Sequence, residues 1–255
     1  MKLLTGACIF ITLVSLSSAN NSVIDKAIKK PVQLIVIDPG FGGNDYGPSG
    51  CQGKVFAKDI NLEISKKVNK KIKKDLEIDA ILTRDKDTYL SLEERTAIAN
   101  TKNADLLVSI HLNAAVDKTV NGIETYCLSI VPEPNAIRNA AMENFKNTKN
   151  FADMEMILSE LMENTKVRES KKLADCVQNA LVERLSPKYN PIRNRGVKNA
   201  PFYVLLAAEM PSIMVQVSFI SNLNECRLLI TDSYQNDISS GIVEGIKRYL
   251  KNGNQ

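Results

Sequence analysis

Apolar residues follow two different periods along this chain, one typical of strands and one typical of helices. Short apolar runs, several rich in β-branched residues, predict strands at residues 33–37, 78–83, 106–111, 122–128 and 212–217. Apolar residues at helical spacing predict helices over residues 60–72, 91–100 and 137–185, from residue 222, and over about 235–250. This alternation predicts an α/β fold: a single three-layer domain with a mixed, mostly parallel sheet flanked by helices, plus an inserted helical segment at about 132–170.

Turn-forming and capping residues set the predicted boundaries of these elements. Asp59 is placed to cap the first helix, and Ser91 with Glu94 forms a capping-box pattern at the second. The stretches at residues 38–53 and 187–201 are rich in Gly, Pro and polar residues, so both are predicted to be loops. In parallel sheets, sites form in loops at the strand ends, which makes the ends of these strands the place to look for chemistry.

The first residues are typical of a secretory signal. Lys2 is followed by an apolar stretch too short to span a bilayer comfortably, and Ser17-Ser-Ala19 offers small residues for cleavage. We therefore expect a signal peptide at 1–19, a short polar leader at 20–32 and one domain at 33–252. The signal predicts export, so the mature protein is expected in the periplasm or cell envelope. No later apolar run is long enough for a membrane span.

Composition narrows the class of partner without identifying one. The chain of 255 residues is 44% hydrophobic and 24% charged, as in soluble globular proteins, and its net charge is a mild +4. Most lysines follow helix faces, so the charge suits an anionic cell wall but does not indicate a nucleic-acid partner. The absence of Trp and the low aromatic share argue weakly against a surface that stacks sugars or bases.

Four cysteines remain after the predicted signal: Cys51, Cys127, Cys176 and Cys226. An exported protein can pair them in three ways, and the spacing does not decide among these pairings. Cys127 and Cys176 lie on apolar faces of a predicted strand and helix, so buried free thiols are the alternative for these two. No Cys-x-x-Cys pair occurs, so a thiolate zinc site is not expected.

Four segments resemble the N-acetylmuramoyl-L-alanine amidases of the AmiC/LytC type, which cut bacterial cell wall. They are residues 35–43 (IVIDPGFGG), 53–62 (GKVFAKDINL), 108–113 (VSIHLN) and 215–222 (VQVSFISN). Residues 83–85 (TRD), 194–203 (NRGVKNAPFY) and 210–211 (MP) add to the resemblance in the same order, over residues 33–250. The resemblance implies an amidase fold and peptidoglycan as the partner.

The chain departs from that family at the positions that carry the chemistry. The resemblance implies a histidine, a glutamate and a second histidine as zinc ligands, and another glutamate as the catalytic base. The matching positions hold Phe41, Ala57, His111 and Gln216. A phenyl ring and a methyl group bind no metal, and a carboxamide has no useful basicity near neutral pH. We therefore expect no catalytic residue, no metal ligand set beyond His111 and no cofactor.

Other polar residues near these positions are candidates for weaker roles. Asp38, Asn113 and Arg195 are candidate substrate-binding residues, and Asp38 could instead orient the loop or His111. The remaining nearby carboxylates are not expected to rebuild a metal site; they are Asp45, Asp59, Glu63 and Glu124. With its ligand partners missing, His111 is expected to be a hydrogen-bonded structural residue.

These observations predict an amidase-fold protein of the cell wall that is catalytically inactive. It would act by binding peptidoglycan or an amidase regulator, and a regulatory protein could bind the helices at 137–185. Two alternatives stay open. One is an active zinc-dependent amidase, cutting the bond between N-acetylmuramic acid and L-alanine with a displaced metal site. The other is a purely structural envelope subunit.

Overall fold

The computed structural model of this protein describes residues 31–128, 140, 143–144, 165–189 and 192–252. The strands are β1 Leu34–Pro39, β2 Ser49–Gly50, β3 Val55–Phe56, β4 Asp79–Leu82, β5 Leu106–Asn113, β6 Ile123–Cys127, β7 Asn194–Asn199 and β8 Ser212–Phe219. The helices are α1 Ala57–Lys71, α2 Leu92–Thr101, α3 Thr165–Leu185, α4 Tyr203–Leu206, α5 Leu223–Leu229 and α6 Asp232–Asn252. A π-helical turn, Ile72–Leu76, follows α1.

Six of these strands form one mixed sheet in the order β4-β1-β5-β8-β6-β7. β6 runs antiparallel to β8, and every other neighbouring pair in this sheet is parallel. β2 and β3 form a separate two-stranded antiparallel hairpin. The predicted fold class, a mixed and mostly parallel sheet in a single α/β domain, is therefore confirmed.

Helices cover both faces of the sheet and give the domain three layers. Along β1, Ile35 and Ile37 face one hydrophobic cluster, together with residues of α1, α3 and α6. Val36 faces the opposite cluster, which includes residues of α2 and α4. Because both faces are covered, β1, β5 and β8 consist almost wholly of buried residues. Each fully buried aliphatic side chain contributes roughly 1.5–3 kcal/mol relative to exposure.

The predicted helix starts are correct at two helices and wrong at one. Ser91 and Glu94 make the reciprocal bonds of a capping box at the start of α2, and the Asn222 side chain caps α5. Asp59 does not cap α1, because that helix begins earlier, after Phe56, with no side-chain cap. Asp59 lies instead in the first turn, where its charge still suits the positive end of the helix dipole.

Both predicted loops contain short strands that the apolar pattern did not indicate. The stretch at 38–53 includes β2, and the stretch at 187–201 includes β7, whose sequence NRGVKN has no clear alternation. β7 lies at the edge of the sheet and is paired through its backbone with β6. Backbone pairing does not require apolar side chains on an edge strand, so the sequence pattern gave little sign of it.

Most of the predicted inserted helical segment, at about 132–170, lies outside the described residues. The part of 137–185 that the structure describes as a long helix is α3, whose apolar side packs against α6. The predicted signal peptide at 1–19 and nearly all of the leader at 20–32 also lie outside, and both stay predictions. Over the described ranges, no helix has the length and apolar character needed to cross a membrane.

A disulfide joins Cys51, in the turn between β2 and β3, to Cys226 on α5. The bond closes a sequence separation of 175 residues and fastens the hairpin to the helix that follows β8. Cys127 is a buried free thiol and Cys176 is a half-buried free thiol, as the apolar-face alternative predicted.

We expect the C51S/C226S variant to lose about 4 kcal/mol of unfolding free energy, because the unfolded chain regains the entropy that the cross-link removes. Urea denaturation of oxidised protein measures this loss. The matched control is C176S, which removes a thiol and leaves the disulfide intact. Equal stabilities of C51S/C226S and C176S would contradict the structural role of the bond.

Candidate functional site

Sheet pairing and the loop after β1 bring three of the four family-matched residues together at the ends of the central strands. His111 on β5 is the register partner of Gln216 on β8, and Gln216 is also the partner of Glu124 on β6. The loop that follows β1 carries Phe41 to the same end of the sheet, beside His111. Residues that are far apart in the chain therefore meet where α/β sheets usually carry their sites.

An aromatic ring packs directly against the single histidine. The Phe41 and His111 rings lie edge to face, with centroids 5.0 Å apart and planes at 66°. Both side chains are buried. Gly40 lies so close that an added Cβ would be 2.4 Å from Nε2 of His111, so only glycine fits there. His111 is thus enclosed by the β1 loop, in a packed rather than an open environment.

Phe41 itself is held in an unusual backbone conformation. Its φ of 62° lies in the left-handed region, which bulky residues rarely adopt. A Cβ added to Gly47 would lie 2.4 Å from the Phe41 ring, so the surrounding loop fits tightly around it. Strain of this kind persists only where neighbouring contacts fix the conformation, as they do here.

The other two family-matched positions are also buried. Ala57, the first residue of α1, is completely buried and supplies only a methyl group. Gln216 is 8% exposed, and its Nε2 lies 3.7 Å from Sδ of Met214. Its Oε1 is buried without a hydrogen-bond partner. An amide oxygen left in this state is costly, so Gln216 is less well accommodated than its neighbours.

Asp38 is a structural carboxylate. Its Oδ1 accepts hydrogen bonds from Thr83 (2.6 Å) and Arg95 (2.8 Å), and its Oδ2 accepts one from Ser109 (2.7 Å). Burial acts to raise the pKa of Asp38, but Arg95, these hydrogen bonds and nearby His111 outweigh it and hold the pKa below its usual value. Asp38 is wholly buried and both of its oxygens accept hydrogen bonds, a geometry that supports loop orientation. Its role as a substrate-binding residue stays a prediction.

The other two candidate binding residues, Asn113 and Arg195, both donate hydrogen bonds to the carboxylate of Glu124. Its carboxylate accepts hydrogen bonds from Asn113 (2.5 Å), Tyr126 (2.7 Å), Arg195 (3.2 Å) and Lys198 (2.5 Å). The sequence predicted Asn113 and Arg195 as substrate-binding residues, and the structure places them on one acceptor beside Gln216. The sequence did not predict that Lys198 and Tyr126 would belong to this site. The NRGVK segment, which contains both Arg195 and Lys198, could have indicated Lys198.

These residues do not fit the zinc ion that the family resemblance implies. Phe41 and Ala57 carry no donor atom, and the four hydrogen bonds to Glu124 already occupy its oxygens. Among the residues that the structure describes, no three or more His, Cys, Asp or Glu side chains are grouped so that they could hold a metal ion. A catalytic zinc site needs three protein ligands, and of the three implied ligand positions only that of His111 carries a side chain able to bind metal.

Comparison with known proteins places this fold in one family. Residues 35–248 match the family model described as N-acetylmuramoyl-L-alanine amidase. An N-acetylmuramoyl-L-alanine amidase structure from Clostridium difficile 630 superimposes with a TM-score of 0.67 at 32% identity, covering 87% of this chain and 98% of that one. The chain belongs to the N-acetylmuramoyl-L-alanine amidase family.

Further relatives differ in the share of their own length that this chain spans. It is 30% identical to AmiC of Escherichia coli over 86% of this chain, but it spans only 53% of that protein. It is 33% identical to the uncharacterized protein YqiI of Bacillus subtilis, over 85% of this chain and 84% of YqiI. The CwlD amidase of Clostridioides difficile, solved in complex with the GerS lipoprotein, has a TM-score of 0.65 at 26% identity, over 86% of this chain and 98% of CwlD.

A buried glutamate behind the site predicts a specific pH dependence. Glu225 accepts hydrogen bonds from the backbone N–H groups of Gly122 (3.0 Å) and Phe219 (2.7 Å). Burial raises its pKa from 4.5 to about 7, against the opposing effect of these bonds and of Arg195. Between these two pH values the folded protein keeps a proton that the unfolded chain loses. The stability that protonated Glu225 gives to the folded state is therefore complete below pH 4.5 and is lost as the pH rises through about 7.

We expect the stability advantage of wild type over E225Q to fall by about 1–3 kcal/mol between about pH 4.5 and about pH 8, because glutamine does not titrate. Urea denaturation of both proteins across this range measures the difference. Other titrating groups contribute equally to both proteins and cancel. A difference that stays constant with pH would contradict the raised pKa.

Proposed function

We propose that this protein is a catalytically inactive member of its family that binds peptidoglycan, or a protein that regulates amidases, in the bacterial periplasm or cell envelope. The observation that carries the proposal is the enclosed His111, on which Phe41 packs at the position of one implied zinc ligand. Ala57 occupies the position of another implied ligand, and Gln216 occupies the position of the implied base. The shape of the domain is retained while the groups that perform hydrolysis are replaced.

The chemistry of the replaced groups supports inactivity. In a zinc amidase, the metal lowers the pKa of a bound water and polarises the scissile carbonyl, and a carboxylate transfers the proton. One imidazole does not supply the three protein ligands of a catalytic zinc site. The Gln216 amide neither accepts a proton from water nor returns one to a leaving amine near neutral pH. The residues present therefore supply neither the ligand set that would bind the metal nor the base that would transfer the proton.

Packing energetics also favour a site adapted to contain no metal. A set of imidazole and carboxylate groups buried without their ion would leave polar groups unpaired, at a cost of roughly 1–3 kcal/mol for each group. Phe41 and Ala57 avoid this cost because they bury apolar surface. The edge-to-face contact between Phe41 and His111 adds to the favourable packing. We propose on this basis that the family zinc has been lost.

A binding role is supported by the groups that remain at the site. Asn113 and Arg195 stay beside Gln216 at the end of the sheet, and Arg195 is partly exposed. A protein partner is supported by the CwlD relative, which was solved with a lipoprotein. The helices predicted at 137–185, of which the structure describes α3, are the proposed surface for a regulatory partner.

We expect purified protein to produce no clearing on a peptidoglycan zymogram when zinc is supplied, and elemental analysis to find no stoichiometric zinc. An active amidase of the same family serves as the positive control on the same gel. Robust clearing together with a bound metal would overturn the proposal in favour of an active amidase with a displaced metal site.

We expect F41H/A57E to gain zinc binding, because these two changes supply the donors that the family resemblance implies in addition to His111. Elemental analysis and a chelator-dependent melting temperature measure this gain; wild-type protein should show no shift with EDTA. The triple variant F41H/A57E/Q216E should also clear peptidoglycan, whereas the double variant, which lacks the base, should not. A folded double variant that binds no zinc would show that the scaffold has changed more deeply.

We expect wild-type protein to co-sediment with purified peptidoglycan sacculi. Failure to sediment, together with capture of a protein partner, would support a purely structural envelope subunit instead. An unrelated exported protein of similar charge controls for nonspecific attraction to the anionic wall.

A further inference from the structure

Exposed apolar side chains are concentrated on two neighbouring segments at the end of the sheet that carries the site. Among the described residues, five large hydrophobic side chains are exposed, and three of them are Val116 at 96%, Leu223 at 46% and Ile230 at 55%. Val116 is on the loop after β5, residues 114–122, whereas Leu223 and Ile230 are at the start and end of α5. Isolated exposed apolar residues are common on proteins, but neighbouring ones mark sites of interaction.

The sheet brings the loop and α5 together. Because β5 and β8 are parallel neighbours, the two segments leave the sheet at the same end. The Ala115 N–H donates a hydrogen bond to Oγ of Ser221 at 2.9 Å, and the Asn222 side chain donates one to the Lys118 carbonyl at 3.1 Å. Val116 therefore lies in a stretch of chain that is bonded directly to the residues before α5.

One side of α5 combines apolar and cationic side chains. Leu223, Arg227 and Ile230 have the spacing i, i+4 and i+7, which places them on one side of a helix. Ile230 keeps helical backbone angles, with φ −82° and ψ −2°, and all three residues are exposed. Glu225 and Leu229, on the opposite side, are buried. A partner can therefore reach α5 only through the side that carries these three residues.

The charges beside the apolar residues are mostly positive. Arg227 is exposed, and α5 exposes no carboxylate because its one acidic residue, Glu225, is buried. Lys118 is also exposed, and its ammonium donates to the Ala115 carbonyl at 3.3 Å. The exposed Asp117 carries the one carboxylate of the loop. We call this region the α5 surface, formed by five exposed residues: Val116, Lys118, Leu223, Arg227 and Ile230.

We propose that the α5 surface binds anionic phospholipid membranes, with its aliphatic side chains at the boundary between head groups and acyl chains and its two cations at the lipid phosphates. The inference goes beyond the proposed function and does not depend on it. Binding of this kind combines burial of apolar side chains with the attraction between basic residues and anionic lipids. Long basic side chains suit this boundary, because their stems are apolar while their charged ends stay among polar groups.

The small size of the α5 surface favours a membrane over a protein partner. Stable protein interfaces involve roughly 20–30 residues on each side, whereas this surface has three apolar and two basic ones. A fluid bilayer accepts a few protruding side chains without a complementary shape. Because the loop and α5 follow β5 and β8, a bound membrane would lie at the end of the sheet where His111 and Gln216 meet.

Co-sedimentation with vesicles of equal parts phosphatidylglycerol and phosphatidylethanolamine, at low ionic strength, tests this proposal. We expect wild-type protein to bind, L223S/I230S to bind at least about tenfold more weakly, and R227Q to bind about fivefold more weakly. L223M/I230M, which keeps apolar side chains, should bind like wild type. The matched control is K102Q, which removes an exposed lysine near the start of β5, at the other end of the sheet, and should also bind like wild type. Melting temperatures establish that each variant is folded.

A single tryptophan can report which residues meet the membrane, since the chain contains none. With these vesicles, we expect the fluorescence emission of V116W and of L223W to shift to shorter wavelength, and that of K102W to stay unchanged. No shift at residues 116 and 223, or equal vesicle binding by wild type and L223S/I230S, would overturn the α5 surface.

Two further outcomes separate this proposal from others. Self-association that is lost in L223S/I230S, without vesicle binding by wild type, would overturn the lipid assignment in favour of a contact between two copies of the chain. Sedimentation with peptidoglycan sacculi should be equal for wild type and L223S/I230S. Vesicle binding that depends on the α5 surface, without sedimentation on sacculi, would therefore support this inference and count only against the proposed function.

Discussion

The buried ion pair between Asp38 and Arg95 is the interaction on which the geometry of the site depends. Asp38 ends the apolar part of β1, and Arg95 reaches it from α2 at 2.8 Å, with both side chains almost completely buried. Removing one partner of such a pair typically costs about 3–5 kcal/mol, because the other charge is left buried and uncompensated. The pair therefore fixes the direction in which the chain leaves the sheet.

The same arginine then continues into the loop. Arg95 also donates to the carbonyls of Pro39 and Phe41, and Arg84 donates to those of Pro39 and Gly40. These bonds satisfy backbone acceptors that a buried loop would otherwise leave unpaired. They also keep Phe41 in its left-handed conformation, with its ring on His111. The enclosed histidine is thus a consequence of how the loop backbone is anchored.

This arrangement explains how the fold can be kept while the side chains at the implied ligand and base positions differ. The ion pair, the arginine–carbonyl bonds and the parallel pairing of β5 with β8 involve the implied ligand and base positions only through the backbones of Phe41, His111 and Gln216. Side chains at those positions can change with little effect on the scaffold, since their neighbours are held by other contacts.

The amino-acid sequence by itself determined the fold class, the main strands and helices, the capping box at Ser91 and the replacement of the implied ligand and base residues. The elements and the cap follow from local periodicity and side-chain chemistry, which neighbouring residues in the chain already specify. The replacements follow from the resemblance of short sequence segments to the amidase family. Only the tertiary structure decided the pairing of Cys51 with Cys226, the burial of Asp38 and the edge strand β7. Each of these depends on contacts between segments far apart in the chain, and no local pattern encodes which distant segments will meet.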